Sequence, residues 1–231
     1  MGVKPSLHGG AVREGFVLSR RRLRPREFER MCPVMEWTLL TKEQYVTTLW
    51  SGGTTTQLAI APEGAVYANR DFLWRLSSAR VELPHSDFTP LPDYNRLISI
   101  VKGEMTLKIG EGEPFPLEPL QLCAFDGGVP VESWGQCDDY NLMMRKGACE
   151  GCAQGLKLEE NSALTWSAPV FAPQSHKNLT LALFCAQGDV TVDGLTAREG
   201  EMLLCRQAEN GWVELKSQGG ARLLCAAIYH G

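Results

Sequence analysis

Histidine is scarce in this sequence of 231 residues, and the four it has (His8, His85, His176 and His230) never stand close together. Imidazole pairs on neighbouring strands hold a transition metal while leaving positions open. Without such a pair, no metal centre and no metal-dependent chemistry are expected. No apolar run approaches the length of about 20 residues that spans a bilayer. No apolar stretch follows the N-terminal arginines, which argues against an export signal. The eight cysteines then read as reduced, mostly buried thiols, and the cytoplasm is the expected compartment. Gly52-Gly53-Thr54-Thr55-Thr56 lacks the Gly-Lys-Ser/Thr ending of a phosphate cradle. Cys149-Glu150-Gly151-Cys152 is a lone C-x-x-C, with neither the second pair of a zinc ribbon nor the βαβ setting of a redox site. No Ser, His and acid arrangement stands out as a nucleophile triad.

What is present is unevenly charged. The formal net charge is −4. Residues 1–34 hold eight basic and three acidic residues, and the rest holds 15 basic and 24 acidic. The run Arg20-Arg21-Arg22-Leu23-Arg24-Pro25-Arg26 has no hydrophobic periodicity. Residues 1–34 are therefore expected to be a disordered, solvated extension, with Met35 a natural first residue of the folded part. A nucleic-acid or membrane-contacting arm is the competing reading. The acidic body is a poor surface for phosphate, so neither nucleic acid nor membrane is expected as a partner.

From Met35 the punctuation is that of a β protein, with 23 glycines and 13 prolines separating short apolar runs. Thr41 and Gln44 have capping-box spacing and predict one short helical turn before Trp50. Gln57–Ile60, Phe72–Leu76 and Arg80–Leu83 read as strands, and Pro84, Pro90 and Pro92 predict a loop instead of a ladder strand. Arg96–Val101 is an apolar strand. Lys102-Gly103 turns, and Met105, Leu107 and Ile109 then alternate with polar residues at period two. The pattern returns 85 residues later. Leu179–Phe184 matches the apolar strand, Gly188-Asp189-Val190-Thr191-Val192 matches Gly103-Glu104-Met105-Thr106-Leu107, and Glu201–Cys205 stands where Leu120–Cys123 stood. A repeat of this size indicates a duplicated small barrel, and such hairpins occur in jelly-roll and cupin barrels. The predicted architecture is all-β, a bicupin of two tandem barrels. Residues 35–150 form the first barrel and 151–231 the second; a single irregular β sandwich is the alternative.

Arg75 and Arg96 each sit at the edge of an otherwise apolar strand, where a guanidinium needs a partner. Salt bridges to Asp126, Asp138 or Asp139 would satisfy them. So would a bound carboxylate, which fits the planar fork of arginine. Ser77, Ser86 and Thr89 are available as neutral hydrogen-bonding groups.

These residues belong to a series of motifs. They are Trp50-Ser51-Gly52-Gly53-Thr54-Thr55, Phe72 through Val81, Ser86 through Arg96 with Gly103, Phe125-Asp126-Gly127-Gly128, and Asp139-Tyr140-Asn141-Leu142-Met143. In this order and spacing the chain resembles the HutD/Ves family of metal-free bicupins. The resemblance implies a role beside histidine catabolism, in which a small carboxylate such as formiminoglutamate or urocanate is sensed. It implies a pocket in the first barrel at Arg75, Ser77 and Arg96. Trp50, Gly53, Asp126, Asp139 and Asn141 complete the expected ligand-binding set, with no cofactor. Two departures stand out: Ser51-Gly52 replaces an Asn common after the tryptophan, and Asp93 replaces a turn Gly. Two other readings stay open. One is a metal-independent hydrolase or isomerase with Asp139 or Asp126 as general base. The other is an interaction protein without ligand, a homodimer through its exposed sheet faces.

Overall fold

The structure, a computed structural model, describes residues 35–169 and 178–231. The basic segment 1–34 and His176 lie outside the described residues.

The chain begins with β1 (Thr38–Leu40), a 3-10 turn over Lys42–Gln44, and a hairpin of β2 (Val46–Trp50) and β3 (Gly53–Ala61). The backbone N–H of Thr41 donates to Gln44 Oε1 at 2.9 Å, so the capping spacing does set the turn. Then follow β4 (Trp74–Val81), β5 (His85–Asp87), β6 (Tyr94–Gly103), β7 (Met105–Ile109), β8 (Phe115–Leu117) and β9 (Cys123–Asp126). The first half ends with β10 (Val131–Trp134) and β11 (Cys137–Arg145). The second half consists of β12 (Cys149–Ser167), β13 (Asn178–Val192), β14 (Leu195–Arg198), β15 (Met202–Cys205) and β16 (Trp212–His230).

These strands make three sheets. A six-stranded sheet has the order β2-β3-β4-β11-β6-β9, and a four-stranded sheet the order β5-β10-β7-β8. The third sheet runs β1-β15-β13-β16-β12, with β14 on β13. All strand pairs are antiparallel, and the pairing repeats. In the first half β6 pairs β11 and β9, while β7 pairs β10 and β8. In the second half β13 alone pairs β16, β15 and β14. The long strands β12, β13 and β16 thus do in one piece what β4 with β5, β6 with β7, and β11 with β10 do in two.

Glycine explains how the pieces change sheet. Gly103 (φ 88°) and Gly135 (φ 108°) sit side by side where the chain passes between the two sheets of the first half. A Cβ on either would lie 2.3 Å from a carbonyl of the adjacent strand. Gly188 (φ 79°) and Gly220 (φ 83°) form the same corner in the second half, 85 residues on from each. Positive φ without a side chain lets both strands bend together. The Lys102-Gly103 segment is consequently not a hairpin between partners, as period-two reading suggests; β6 and β7 lie in different sheets. Between Pro84 and Pro90, His85–Asp87 does form a ladder strand with β10. No proline falls within those three residues, so no ladder donor is missing.

Alternation along the strands separates the cores. Ile98, Ile100, Leu107, Phe125 and Val131 fill the space between the first two sheets. Leu181, Leu183, Val190, Leu203, Val213 and Leu223 fill the interior of the second half, together with Trp37 from beside β1. A third cluster packs the two six-stranded sheets together, with Trp74, Leu76, Tyr140 and Leu142 against Phe184, Met202, Leu224 and Ile228. Each fully buried side chain of this size is worth about 1.5–3 kcal/mol relative to exposure, so this shared face is a major stabiliser of the pair.

Candidate functional site

Because Trp74, Leu76, Tyr140 and Leu142 face the second half, the residues between them face the other way. Ladder register puts these in rows. Arg75 pairs Met143, and Met143 pairs Arg96 on its other side. Ser77 pairs Asn141 in the next row, and Gln57 pairs Ser77 from β3. Cross-strand neighbours share a face, so two arginines flank one methionine on the floor of a cavity. The cavity has a volume of about 340 Å³. Its lining includes Trp50, Thr55, Tyr67, Arg70, Phe88, Thr89 and Asp139 besides Arg75, Ser77, Arg96, Asn141 and Met143.

Arg75 and Arg96 are only 4% and 6% exposed, and among the described residues no carboxylate lies within ion-pair distance of either. Two of the acids expected as partners are engaged elsewhere. Asp138 pairs with Arg80 at 2.9 Å, and Asp126 pairs with Lys146 at 2.6 Å. Arg75 Nε donates to Gln57 Oε1 at 2.9 Å, and its Nη1 to Ser77 Oγ at 3.0 Å. Aromatic faces take the place of anions. The Arg75 guanidinium lies 4.3 Å from the Tyr67 ring, and Arg70 lies 3.8 Å from the same ring. Arg96 lies 5.0 Å from Phe88 and 5.1 Å from Phe125. Cation–π contact of this kind steadies a guanidinium but leaves its N–H donors unused.

Beyond the two Arg75 donors, part of this capacity is in fact unused. Arg96 Nε and Arg70 Nη1 are buried without a hydrogen-bond partner, and so is the acceptor Asn141 Oδ1. A buried polar atom left unpaired costs about 1–3 kcal/mol, a cost that a bound polar group would remove. Burial pulls the Arg96 pKa down to about 10, partly offset by Asp139. It lowers Arg75 as well, with Arg70 adding to the effect. Asp139 is pushed up to about 7 by burial, against the pull of the Ala79 N–H, Arg96 and Arg75. Its Oδ1 accepts that N–H at 2.7 Å.

Of the sequence-expected set, Arg75, Ser77, Arg96, Trp50, Asp139 and Asn141 meet at this cavity. Gly53 and Asp126 do not. Gly53 (φ 145°) lets β3 cross the backbone of Arg80, whose carbonyl a Cβ would meet at 2.0 Å. Asp126 accepts the Gly128 N–H at 2.8 Å beside Lys146, outside the cavity. Thr89 lines the cavity, whereas Ser86 does not. Tyr67 and Arg70 were not legible in the sequence, since they come from a 3-10 turn and its C-cap with no periodicity to mark them. Gly52 also has a local reason: its missing Cβ leaves room for the Trp50 ring, otherwise 2.2 Å away.

Among the described residues the lining contains no imidazole, and two buried guanidiniums beside one buried carboxyl are a donor set for an anion, not for a transition metal. Cysteine chemistry finds no support either. Cys149 packs in the shared core between the halves and Cys152 against the core of the second half, so the C-x-x-C thiols serve different cores. Burial pushes Cys149 up to about 11, far from a reactive thiolate.

Known structures share this architecture. A conserved protein of unknown function from Pseudomonas aeruginosa PAO1 superposes with a TM-score of 0.67 at 24% identity, over 84% of this chain and 98% of that one. HutD from Pseudomonas fluorescens SBW25, solved in a formate condition, gives 0.66 at 21% identity, over 85% and 100%. The bacterial pirin YhhW from Escherichia coli gives 0.60 at 7% identity, over 83% and 98%. These likenesses show a cupin fold. A comparison with curated proteins gave no match. The HutD family model, however, aligns with residues 42–224, a stretch that contains every row of the arginine cavity, and the chain therefore belongs to the HutD family.

Proposed function

We propose that the arginine cavity of residues 35–150 binds a small carboxylate and that the protein is a sensor modulating histidine utilisation, with 151–231 as a second cupin unit supporting the first. The observation that carries this reading is the pair Arg75 and Arg96, buried in one row with, among the described residues, no carboxylate partner and with Arg96 Nε unpaired. A carboxylate presents two oxygens to such forks. Thr55, Ser77 and Asn141 add neutral hydrogen-bonding groups on the same wall. Formiminoglutamate and urocanate are the carboxylates that the family resemblance implies. A cytoplasmic location suits such a sensor.

The test is a thermal-shift series on the full chain with formate, urocanate, formiminoglutamate, histidine and glutamate, with and without EDTA. A ligand specific to the folded state stabilises it by about 2.7 kcal/mol at a hundredfold excess over Kd. The expected result is an EDTA-insensitive rise in Tm with urocanate or formiminoglutamate that disappears in Arg75→Ala and Arg96→Ala. No rise with any of the five would refute the sensor.

A second reading rests on Asp139, whose pKa of about 7 in the same cavity is that of a general base tuned to neutral pH. It makes the protein a metal-independent hydrolase or isomerase of the same carboxylate. Proton NMR of the ligand incubated with the protein distinguishes the two: turnover selects the enzyme, and an unchanged bound ligand selects the sensor.

A further inference from the structure

A second group of ligating side chains gathers on the four-stranded sheet. In the ladder between β5 and β10, Asp87 stands opposite Glu132 and His85 opposite Trp134. Opposed residues project from one face, so His85, Asp87 and Glu132 emerge together, while Ser86 between the first two is buried. One ligand atom from each of the three lies within 4.8 Å of the others, and His85 Nε2 is 3.5 Å from Glu132 Oε2. Two ligands about 2.1 Å from a tetrahedral ion stand about 3.4 Å apart, so this pair already has the spacing of a shared ion. Neighbours hold it so. The Trp134 ring packs against His85 with centroids 5.1 Å apart. Lys108 Nζ engages Glu132 Oε1 at 3.1 Å, which leaves Oε2 directed at the imidazole. A surface pair such as Lys108 with Glu132 is weak in water and does not block a divalent ion.

We propose that His85, Asp87 and Glu132 form a surface binding site for a borderline divalent cation of the nickel and zinc class. One imidazole nitrogen and two carboxylates supply the protein ligands, and water completes the shell. The mixed N and O donors favour this class over calcium and magnesium, which take oxygen ligands. The site is independent of the carboxylate reading of the cavity, although Asp87 also reaches the cavity rim; His85 and Glu132 do not and are the residues to vary.

Isothermal titration of Ni²⁺ into the EDTA-stripped full chain tests it. About one saturating equivalent is expected, with affinity lowered roughly tenfold or more in both His85→Gln and Glu132→Gln. Far-UV circular dichroism checks that each variant is folded. Electron paramagnetic resonance of Cu²⁺ on the unaltered protein provides a reading free of substitutions: coupling to a single imidazole nitrogen supports the site. Absence of saturable binding, affinity unchanged in both variants, or a spectrum of several nitrogens or of sulfur would each overturn it.

Discussion

At Asp139, burial and two neighbouring guanidiniums act in opposite directions, and burial prevails: the pKa rises from 3.8 to about 7. The folded protein therefore keeps a proton that the unfolded chain releases. The contribution of this group to stability is full below about pH 4 and is lost as the pH rises through about 7. Asp139→Asn keeps the shape and the acceptor for the Ala79 N–H but cannot ionise. In guanidinium unfolding, wild-type stability is expected to lose this contribution between about pH 4 and about pH 7, and the variant to show a clearly smaller fall; equal falls would place the cause elsewhere. The same residue links protons to the proposed ligand. An anion beside Asp139 favours its neutral form, so carboxylate affinity measured by calorimetry should increase as the pH falls through about 7, and Asp139→Asn should flatten that dependence.

At the scale of elements, the two arginines were legible as charges at the edges of otherwise apolar strands, whereas Asp139 and Asn141 entered the expected set through the family resemblance. In the structure Arg75 and Ser77 share one face of β4, and Asp139 and Asn141 one face of β11. The hairpin of β2 and β3 was less legible, because Gly53 answers to a contact distant in sequence. Gly53 adopts φ 145° with no room for a Cβ beside Arg80, whereas Gly64 has φ 82° and nothing within 4 Å. Backbone strain at such positions costs about 1–3 kcal/mol. Gly53→Ala should therefore destabilise by about 3 kcal/mol or more once the clash is added, and Gly64→Ala by about 1 kcal/mol. Chemical denaturation of the two variants checks the order; equal losses would remove the close-approach argument.

Across the whole molecule, the halves are tied by more than the shared core. β1 opens the first half in sequence but pairs with β15 of the second, Thr38 opposite Leu204, and Trp37 packs in the second half's interior at 8% exposure. Trp37→Ala is expected to cost about 3–5 kcal/mol, read as a lower denaturant midpoint, although the residue is far in sequence from the core it fills. The first half alone, residues 35–150, would expose Trp74, Leu76, Tyr140, Leu142 and Met144, all buried in the intact chain. Such a patch predicts association; a soluble monomeric 35–150 fragment on size-exclusion chromatography would contradict the shared core.

The strand content, the 85-residue repeat and the two out-of-place arginines are local properties of the sequence. Period-two patterning and unpaired charge need only a few residues to be visible, and so these were determined before any fold was known. Which acid meets which arginine was not, because pairing depends on register and on bulges such as that at Asp138 and Asp139. Alternation along β11 sends Asp138 outward to Arg80 and Asp139 inward to the cavity, and the register with β4 sets Asp138 directly opposite Arg80. Tyr67 and Arg70 reach the site through a turn, and β1 crosses to the other half, by contacts that carry no periodic trace. Tertiary structure alone decided these, since burial and proximity are set by the whole chain at once.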